Sequence, residues 1–357
     1  MQSINTGLLE PGEKAVTHID HCLGCLNCQT ICPSNVPFGN LMDDFRTQYA
    51  GVIKKPVISR AILHLAAKKN RLKTYLYASQ LPVIRPLLKN LSRLTRLTTI
   101  VGVNKPVKLD DYYPCQSPGR PGEVSLFAGC TGKALDSTTL SDAAYLLTHL
   151  GFNVSITRNS DCCGALHQHN GQTSLADKLL AGLTVPEKMP QGKHSLLFFS
   201  PSCGTQLYKN RELHIEDARA FILFHASQQN VSFRPATSPV ALHESCAHRN
   251  ASRLADINRQ LLRLIPQIEI VESSDAALCC GAGGIQNINY PQQAEALSAR
   301  KARSFNLERT RLLVSDNIGC SMHMKSALSQ YNKQIEVIHP ISLLARSLID
   351  NTDRHKG

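Results

Sequence analysis

Apolar positions beyond residue 120 follow two periods in turn, and the alternation occurs twice. Short apolar runs of strand length stand at Val124–Ala128, Asn153–Thr157 and Leu196–Ser200, and again at Val240–His243, Ile268–Glu272 and Leu312–Ser315. Between them apolar residues recur at helical spacing over Leu140–Leu150 and Thr173–Leu183, then over Leu254–Ile265 and Pro291–Phe305. Strands alternating with helices predict parallel α/β units. The same order met twice predicts two copies of one domain. Nearer the start, Ile62, Leu63, Leu65, Ala66 and Leu72, then Leu87, Leu88, Leu91, Leu94 and Leu97, predict amphipathic helices.

Cysteine usage sharpens this picture. The 357 residues include 13 Cys and no Trp. Twelve of the cysteines form three patterned groups, and Cys115 stands apart. No export signal is visible in the opening residues, and no apolar run reaches the 18–20 residues of a spanning helix. A cytoplasmic location is expected, where clustered thiols are metal ligands or redox groups rather than disulfides.

The first group is Cys22, Cys25, Cys28 and Cys32, followed by Pro33: C-x₂-C-x₂-C-x₃-C-P, the run of bacterial ferredoxins. Two-residue gaps let one tight loop wrap thiolates around a face of a cubane, and soft thiolates select iron–sulfur over hard cations. A [4Fe–4S] cluster is expected here. In two-cluster ferredoxins the fourth Cys of each run serves the other cluster, and only one run is present. Four resolutions stand open: Cys32 closes its own cluster, the site holds three irons, Cys115 supplies a thiolate, or a further motif precedes this chain.

The other groups are Cys130, Cys162, Cys163 and Cys203, and Cys246, Cys279, Cys280 and Cys320. In both, the adjacent pair is followed by Gly, and 39 residues separate the pair from the last Cys. The period is about 117 residues. Every cysteine of the repeats falls beyond the carboxyl end of an expected strand, where α/β sheets hold ligands. Adjacent cysteines present two sulfurs from one turn, with Gly supplying the backbone freedom. Cofactor binding by iron–sulfur chemistry, thiol redox chemistry, or a duplicated scaffold that binds nothing are the readings of these eight residues. His167, His169, His243, His248 and His323 lie close by in sequence, and are expected as hydrogen-bonding neighbours more than as ligands. Gly281-Ala-Gly283-Gly284 lacks the rest of a dinucleotide fingerprint and reads as backbone room.

Charge adds a third feature. The chain carries 39 Lys and Arg against 27 Asp and Glu, a net +12. Between Phe45 and Leu109 there is no acidic residue and there are fourteen basic ones. A basic amphipathic stretch suits an anionic membrane surface or an acidic partner subunit, and it also suits a solvated linker. Nucleic acid is not expected, because no recognition motif accompanies the charge. The organisation expected is a ferredoxin-type segment over 1–44, a basic helical linker region over 45–120, and cysteine-rich domains over 121–236 and 237–357. The fold class is α/β, with an N-terminal α-helical ferredoxin-like segment and two duplicated parallel α/β cysteine-rich domains.

Taken in order, these motifs resemble the glycolate oxidase iron–sulfur subunit family. His18 to Cys22 and Cys32-Pro-Ser-Asn-Val-Pro resemble its second ferredoxin motif. Cys162-Cys-Gly-Ala-Leu-His-Gln-His169 resembles its first cysteine-rich domain, and Cys279-Cys-Gly-Ala-Gly-Gly with Asn317-Ile-Gly-Cys320-Ser-Met-His323 its second. The resemblance implies an electron-transfer subunit that carries no flavin. It would relay electrons from FAD-bearing dehydrogenase subunits, which oxidise a 2-hydroxy acid of the glycolate or D-lactate type, toward a membrane quinone. Contact with the inner face of the cytoplasmic membrane would be peripheral. The family carries two ferredoxin motifs, and Met1 sits where the segment between them would lie, so a start that omits the first motif is expected. The Cys-Cys-Gly repeats are also similar to those of the heterodisulfide reductase B subunit, which implies thiol/disulfide reduction as the alternative. Those proteins end each repeat in C-x-x-C, whereas Gln206 and His323 stand in the last position here.

Overall fold

The computed structural model describes residues 2–68, 74 and 107–349, apart from 120, 158–161, 185–193, 230, 253, 255 and 332–334. Leu72, Leu87–Leu97 and eight of the fourteen basic residues between Phe45 and Leu109 lie outside the described residues. Near the start, α1 (Glu13–Asp20), α2 (Phe38–Gln48) and α3 (Val57–Ala66) surround the loop that carries Cys22 to Cys32. Val16, Phe45 and Ile53 close a small core among them.

The first repeat contains β1 (Tyr112–Tyr113), β2 (Gly122–Leu126), α4 (Cys130–Leu135), α5 (Ser137–His149), β3 (Phe152–Ile156), α6 (Thr173–Ala181), β4 (Ser195–Phe198), α7 (Pro201–Leu207), β5 (His214–Asp217) and α8 (Ala218–Gln228). The second contains β6 (Val240–His243), a π-helical turn (His248–Ser252), α9 (Ile257–Leu262), β7 (Ile270–Val271), α10 (Pro291–Arg303), β8 (Leu312–Ser315), α11 (Ile318–Tyr331), β9 (Glu336–Ile338) and α12 (Pro340–Ser347).

The sheets run β1-β3-β2-β4-β5 and β7-β6-β8-β9. All pairings are parallel except that of β1, an antiparallel edge added to the first. Without β1 the two orders are the same, so the duplication read from cysteine spacing is a duplication of topology. The strand order reverses at β2 in the first sheet and at β6 in the second. The crevice beside the carboxyl ends of β2 and β4, or of β6 and β8, is therefore where a ligand fits.

Residue type accounts for the local structure. In β6, Val240 and Leu242 pack on one face with Leu262, Val314 and Ile338, while Ala241 packs on the other with Leu313 and Cys280. Proline opens α7, α10 and α12, where a missing N–H costs nothing. Asp217 caps α8 and His339 caps α12 in corresponding places. The helix expected over Leu254–Ile265 begins only at Ile257, because Asp256 takes a left-handed conformation (φ 60°).

The last strand and helix of each repeat, β5–α8 and β9–α12, have no counterpart in the elements expected from the sequence. They tie the repeats together. α12 of the second packs on α5 of the first, and α8 of the first packs on α9 of the second. Leu140, Leu147 and Ile222 therefore share one core with Leu261, Ile265, Ile341 and Leu344. The exchange is reciprocal, as a pseudo-two-fold requires, and it turns the two cysteine crevices toward one another: α7 meets the π-helical turn, and α4 meets α11.

Candidate iron–sulfur centres

In the first repeat Cys130 opens α4, Cys162 and Cys163 follow β3, and Cys203 lies in α7. All four meet at the carboxyl end of the sheet. The thiols form a hydrogen-bonded chain, Cys130 to Cys162, Cys162 to Cys163 and Cys163 to Cys203. Hydrogen bonds from Cys130 and Cys163 hold Cys162 well below the ordinary thiol range, against the effect of burial. The same contacts, with burial, push Cys130 and Cys163 up. The Gly164 N–H also points at Cys162 Sγ, 3.4 Å away.

The second repeat reproduces this chain as Cys246, Cys279, Cys280 and Cys320, again with the first cysteine of the adjacent pair held down. Gly281 N–H lies 3.4 Å from Cys279 Sγ. Both turn glycines are obligatory. Gly164 and Gly281 have φ of +87° and +84°, and a Cβ on either would lie 2.6 Å from a carbonyl oxygen of the following helix, Ala176 O or Ala294 O. Gly281→Ala is therefore expected to cost about 1–3 kcal/mol in backbone strain and to lever α10 off the turn. The check is the thermal midpoint together with metal retention; a variant matching wild type in both would contradict the close approach.

The ferredoxin-type loop is seated on this assembly. The thiol of Cys25 is pushed up, first by burial and then by the charges of Cys279, Cys22 and Cys28, so these four residues share one neighbourhood. Cys28 is exposed, and Cys32 is half-buried. Backbone groups of the loop are held from every side. Buried Arg46 pairs with buried Asp20 at 2.8 Å and donates to Cys22 O at 2.6 Å. Gln286 donates to Asp20 O, Tyr290 to the Asp20 carboxylate, and Asn250 to Cys25 O. Asn27 donates to Ala277 O just before the second Cys-Cys pair. First-repeat contacts come from Asp43 to His169, from Arg46 to His169 O and from Lys55 to Asn170 O.

Several sequence expectations change here. Arg46, counted as part of a basic surface, is an internal clamp, and burial pulls the Lys55 ammonium below the ordinary lysine range. Leu65 and Ala66 pack on Cys130, Ala134, Leu135 and Leu166, so this part of the amphipathic stretch faces the first repeat. Cys115 does not serve the first motif. Its backbone bonds Asn153 at the start of β3 and its thiol bonds Ser117 O, at the amino end of the sheet, opposite the cysteine crevices. His169 is exposed and pairs with Asp43, while His248 belongs to a buried polar network with Arg219, Ser252 and Asp316.

The remaining histidines do line the crevices. His167 hydrogen-bonds Cys162, and its Nδ1 lies 2.7 Å from Gln172. Burial lowers its pKa, but Cys162 and Gln172 outweigh this and raise it. Gln206 Nε2 and His323 Nδ1 are buried and without a hydrogen-bond partner, at corresponding positions of the two repeats. The His243 ring, held by Ser315 Oγ at Nδ1, meets the Cys280 and Cys320 thiols at the end of β6. The sequence named His167, His243 and His323; the role of Gln206 had no signal beyond its place three residues after Cys203. Four clustered soft thiols in each crevice are the donor set of an iron–sulfur cluster. Buried nitrogens without partners suit hydrogen bonds to its sulfurs. By these observations the residues fit such a group.

Two parallel α/β repeats, each gathering four thiols at its switch point, define a duplicated cysteine-rich protein. The family model of the CCG cysteine-rich domain matches residues 124–208 and 240–325, one match in each repeat. The chain as a whole is similar to the glycolate oxidase iron–sulfur subunit of Escherichia coli, 27% identical over 88% of this chain and 79% of that protein. It is similar also to the probable glycolate oxidase iron–sulfur subunit of Bacillus subtilis, 24% identical over 96% of this chain and 85% of that protein. Lactate utilization protein A 2 of Bacillus cereus is 22% identical over 63% of this chain and 99% of its own length. Among the described residues no helix is long and apolar enough to cross a membrane.

Proposed function

We propose that this chain is the iron–sulfur electron-transfer subunit of a flavin-linked 2-hydroxy-acid dehydrogenase of the glycolate or D-lactate type. The observation that carries the reading is the seating of the ferredoxin-type loop on the repeats, with Cys25 beside Cys279. One cluster held by Cys22, Cys25, Cys28 and Cys32 then stands next to a second thiolate set, which is the arrangement an electron relay needs. The names of the relatives support the class of complex. FAD and the substrate pocket belong to partner subunits. The eight repeat cysteines hold further iron–sulfur, and the cofactor when bound supplies one-electron storage. This chain's residues bind it, keep it dry and orient it.

On this reading the complex works in the cytoplasm, and its acid-free basic stretch meets the inner face of the membrane, where a quinone accepts the electrons. The disulfide-reductase alternative is disfavoured, because Gln206 and His323 stand where its fifth thiolate would be.

The test is iron and acid-labile sulfide per chain after anaerobic purification, followed by substrate addition to the complex with its flavin subunits. More than about four of each is expected, since one cubane accounts for four. Glycolate or D-lactate should then reduce the clusters. A folded protein with neither iron nor sulfide, or clusters that neither acid reduces, would defeat the proposal.

A further inference from the structure

We propose that the second repeat holds a mixed thiolate–imidazole iron–sulfur centre in which His243 is a ligand beside Cys280 and Cys320. The inference rests on the iron–sulfur reading above and deepens it at one residue. His243 ends β6, directly at the switch point of the second sheet, and is 2% exposed. One of its ring nitrogens, Cys280 Sγ and Cys320 Sγ all lie within 4.8 Å of one another. That is ligand spacing for three side chains from three separate elements.

The ring is held in place from outside the crevice. His243 and Ser315 are register partners on β6 and β8, and the Ser315 hydroxyl lies 3.0 Å from Nδ1. Occupation of Nδ1 leaves Nε2 as the nitrogen available to a metal. An outer partner of this kind is the usual companion of a ligating imidazole, fixing its tautomer and angle. The Phe305 ring stands edge-on to His243, with centroids 6.3 Å apart, and walls the other side. His323, the other nitrogen of this crevice, has its Nε2 3.2 Å from Ala294 O. It lies outside the three-residue group.

Comparison of the repeats shows what is particular to the second. Three residues before the first cysteine, the first repeat has Phe127 where the second has His243. Phe127 is buried in apolar surroundings with Leu196 and Phe198 and offers no donor. Three residues after the last cysteine, Gln206 corresponds to His323. At this position the duplicated scaffold therefore puts an apolar ring in one crevice and an imidazole in the other.

The difference sets a direction. A neutral imidazole brings no negative charge, so a centre that it ligates accepts an electron more readily than an all-thiolate one; replacement of Cys by His raises iron–sulfur potentials in this way. The second repeat is also the one beside Cys25. With both groups bound, one electron would pass from the centre held by Cys22, Cys25, Cys28 and Cys32 to the one held in the second repeat, the donor being oxidised as the acceptor is reduced. No bond forms or breaks. The second repeat is the sink, and the first lies at lower potential.

The experiment uses the whole chain, purified anaerobically with its clusters and labelled with ¹⁵N-histidine. Hyperfine spectroscopy of the reduced protein is expected to show a nitrogen coupling of ligand strength that changes with the label. This measurement on wild type needs no variant. His243→Phe and His323→Gln then install the residues that the first repeat carries. His243→Phe should remove the coupling and lower the midpoint potential of that signal, with the ferredoxin-type signal unchanged. His323→Gln should keep the coupling. Iron in the second repeat without histidine coupling, coupling that survives His243→Phe, or coupling lost only in His323→Gln would overturn the assignment while leaving the iron–sulfur reading intact. Zinc in the second repeat, or an iron content that Cys279→Ser and Cys280→Ser leave unchanged, would overturn both for this repeat.

Discussion

Cys25→Ser is expected to abolish electron transfer through the chain while the protein still folds and still binds its flavin subunits. A serine hydroxyl is a hard, protonated donor where soft iron needs a thiolate. Even outer partners of metal ligands cost 10–100-fold in affinity or activity when removed, so loss of a direct ligand should lower the rate by at least about 100-fold. The fold should survive because the loop is held through its backbone. Arg46 bonds Cys22 O, Asn250 bonds Cys25 O and Asn27 bonds Ala277 O, and none of these uses the Cys25 sulfur. Co-purification with the flavin subunits, together with substrate-driven reduction of an added quinone, separates the two effects. Wild-type quinone reduction by the variant complex would show that this cluster is not on the path.

A second large effect is expected where the repeats join. Arg219, fully buried at the start of α8, donates to Asp217 at 2.6 Å and to Asp316 at 3.0 Å across the repeat boundary. It also donates to Asn258, and Asp316 accepts from Ser245 N–H and Asn258. Arg219→Met leaves two buried carboxylates without their counter-charge, a change that costs about 3–5 kcal/mol. Arg219→Met combined with Asp316→Leu removes one of the two orphaned carboxylates and should recover part of that loss, with Asp217 still unpaired.

The pH dependence follows from the same network. Burial alone would raise the Asp316 pKa, but the Arg219 guanidinium overrides it, and the carboxyl is held down at about 2. A folded pKa below the unfolded one stabilises the fold above the unfolded value, near 3.8, and that contribution is lost as pH falls toward 2. It amounts to roughly 2 kcal/mol, at about 1.4 kcal/mol for each unit. Denaturation midpoints measured from pH 6 down to pH 2 should therefore fall more steeply in wild type than in the double variant. Parallel curves would mean that the network does not govern acid stability.

Periodicity and spacing carry much of the architecture. Val240–His243 and Leu312–Ser315 are strands residue for residue as their apolar runs indicate, and the 117-residue repeat reappears as two sheets of one strand order. β5 and β9 escaped because each is a short edge strand with charged residues, His-Ile-Glu-Asp in one and Glu-Val-Ile in the other. α8 escaped because its apolar residues are spread around the helix, which packs on both its own sheet and the other repeat. Those elements are also the ones that join the halves.

What the chain determines locally is therefore its period, its turns and the order of its donors. Such features depend on residues a few positions apart, whose geometry the backbone dictates. Whether a charge faces water or a carboxylate is decided at longer range. Arg46 belongs to a basic stretch in sequence, yet Asp20, twenty-six residues away, takes it inside. Cys25 and Cys279 are far apart along the chain and neighbours in space. His243 and Phe127 occupy the same place in the repeat, and only the packing of Cys280, Cys320 and Ser315 around the imidazole gives that difference a chemical meaning. Close packing brings distant side chains together in one arrangement, and the chemistry of the site follows from that arrangement rather than from spacing alone.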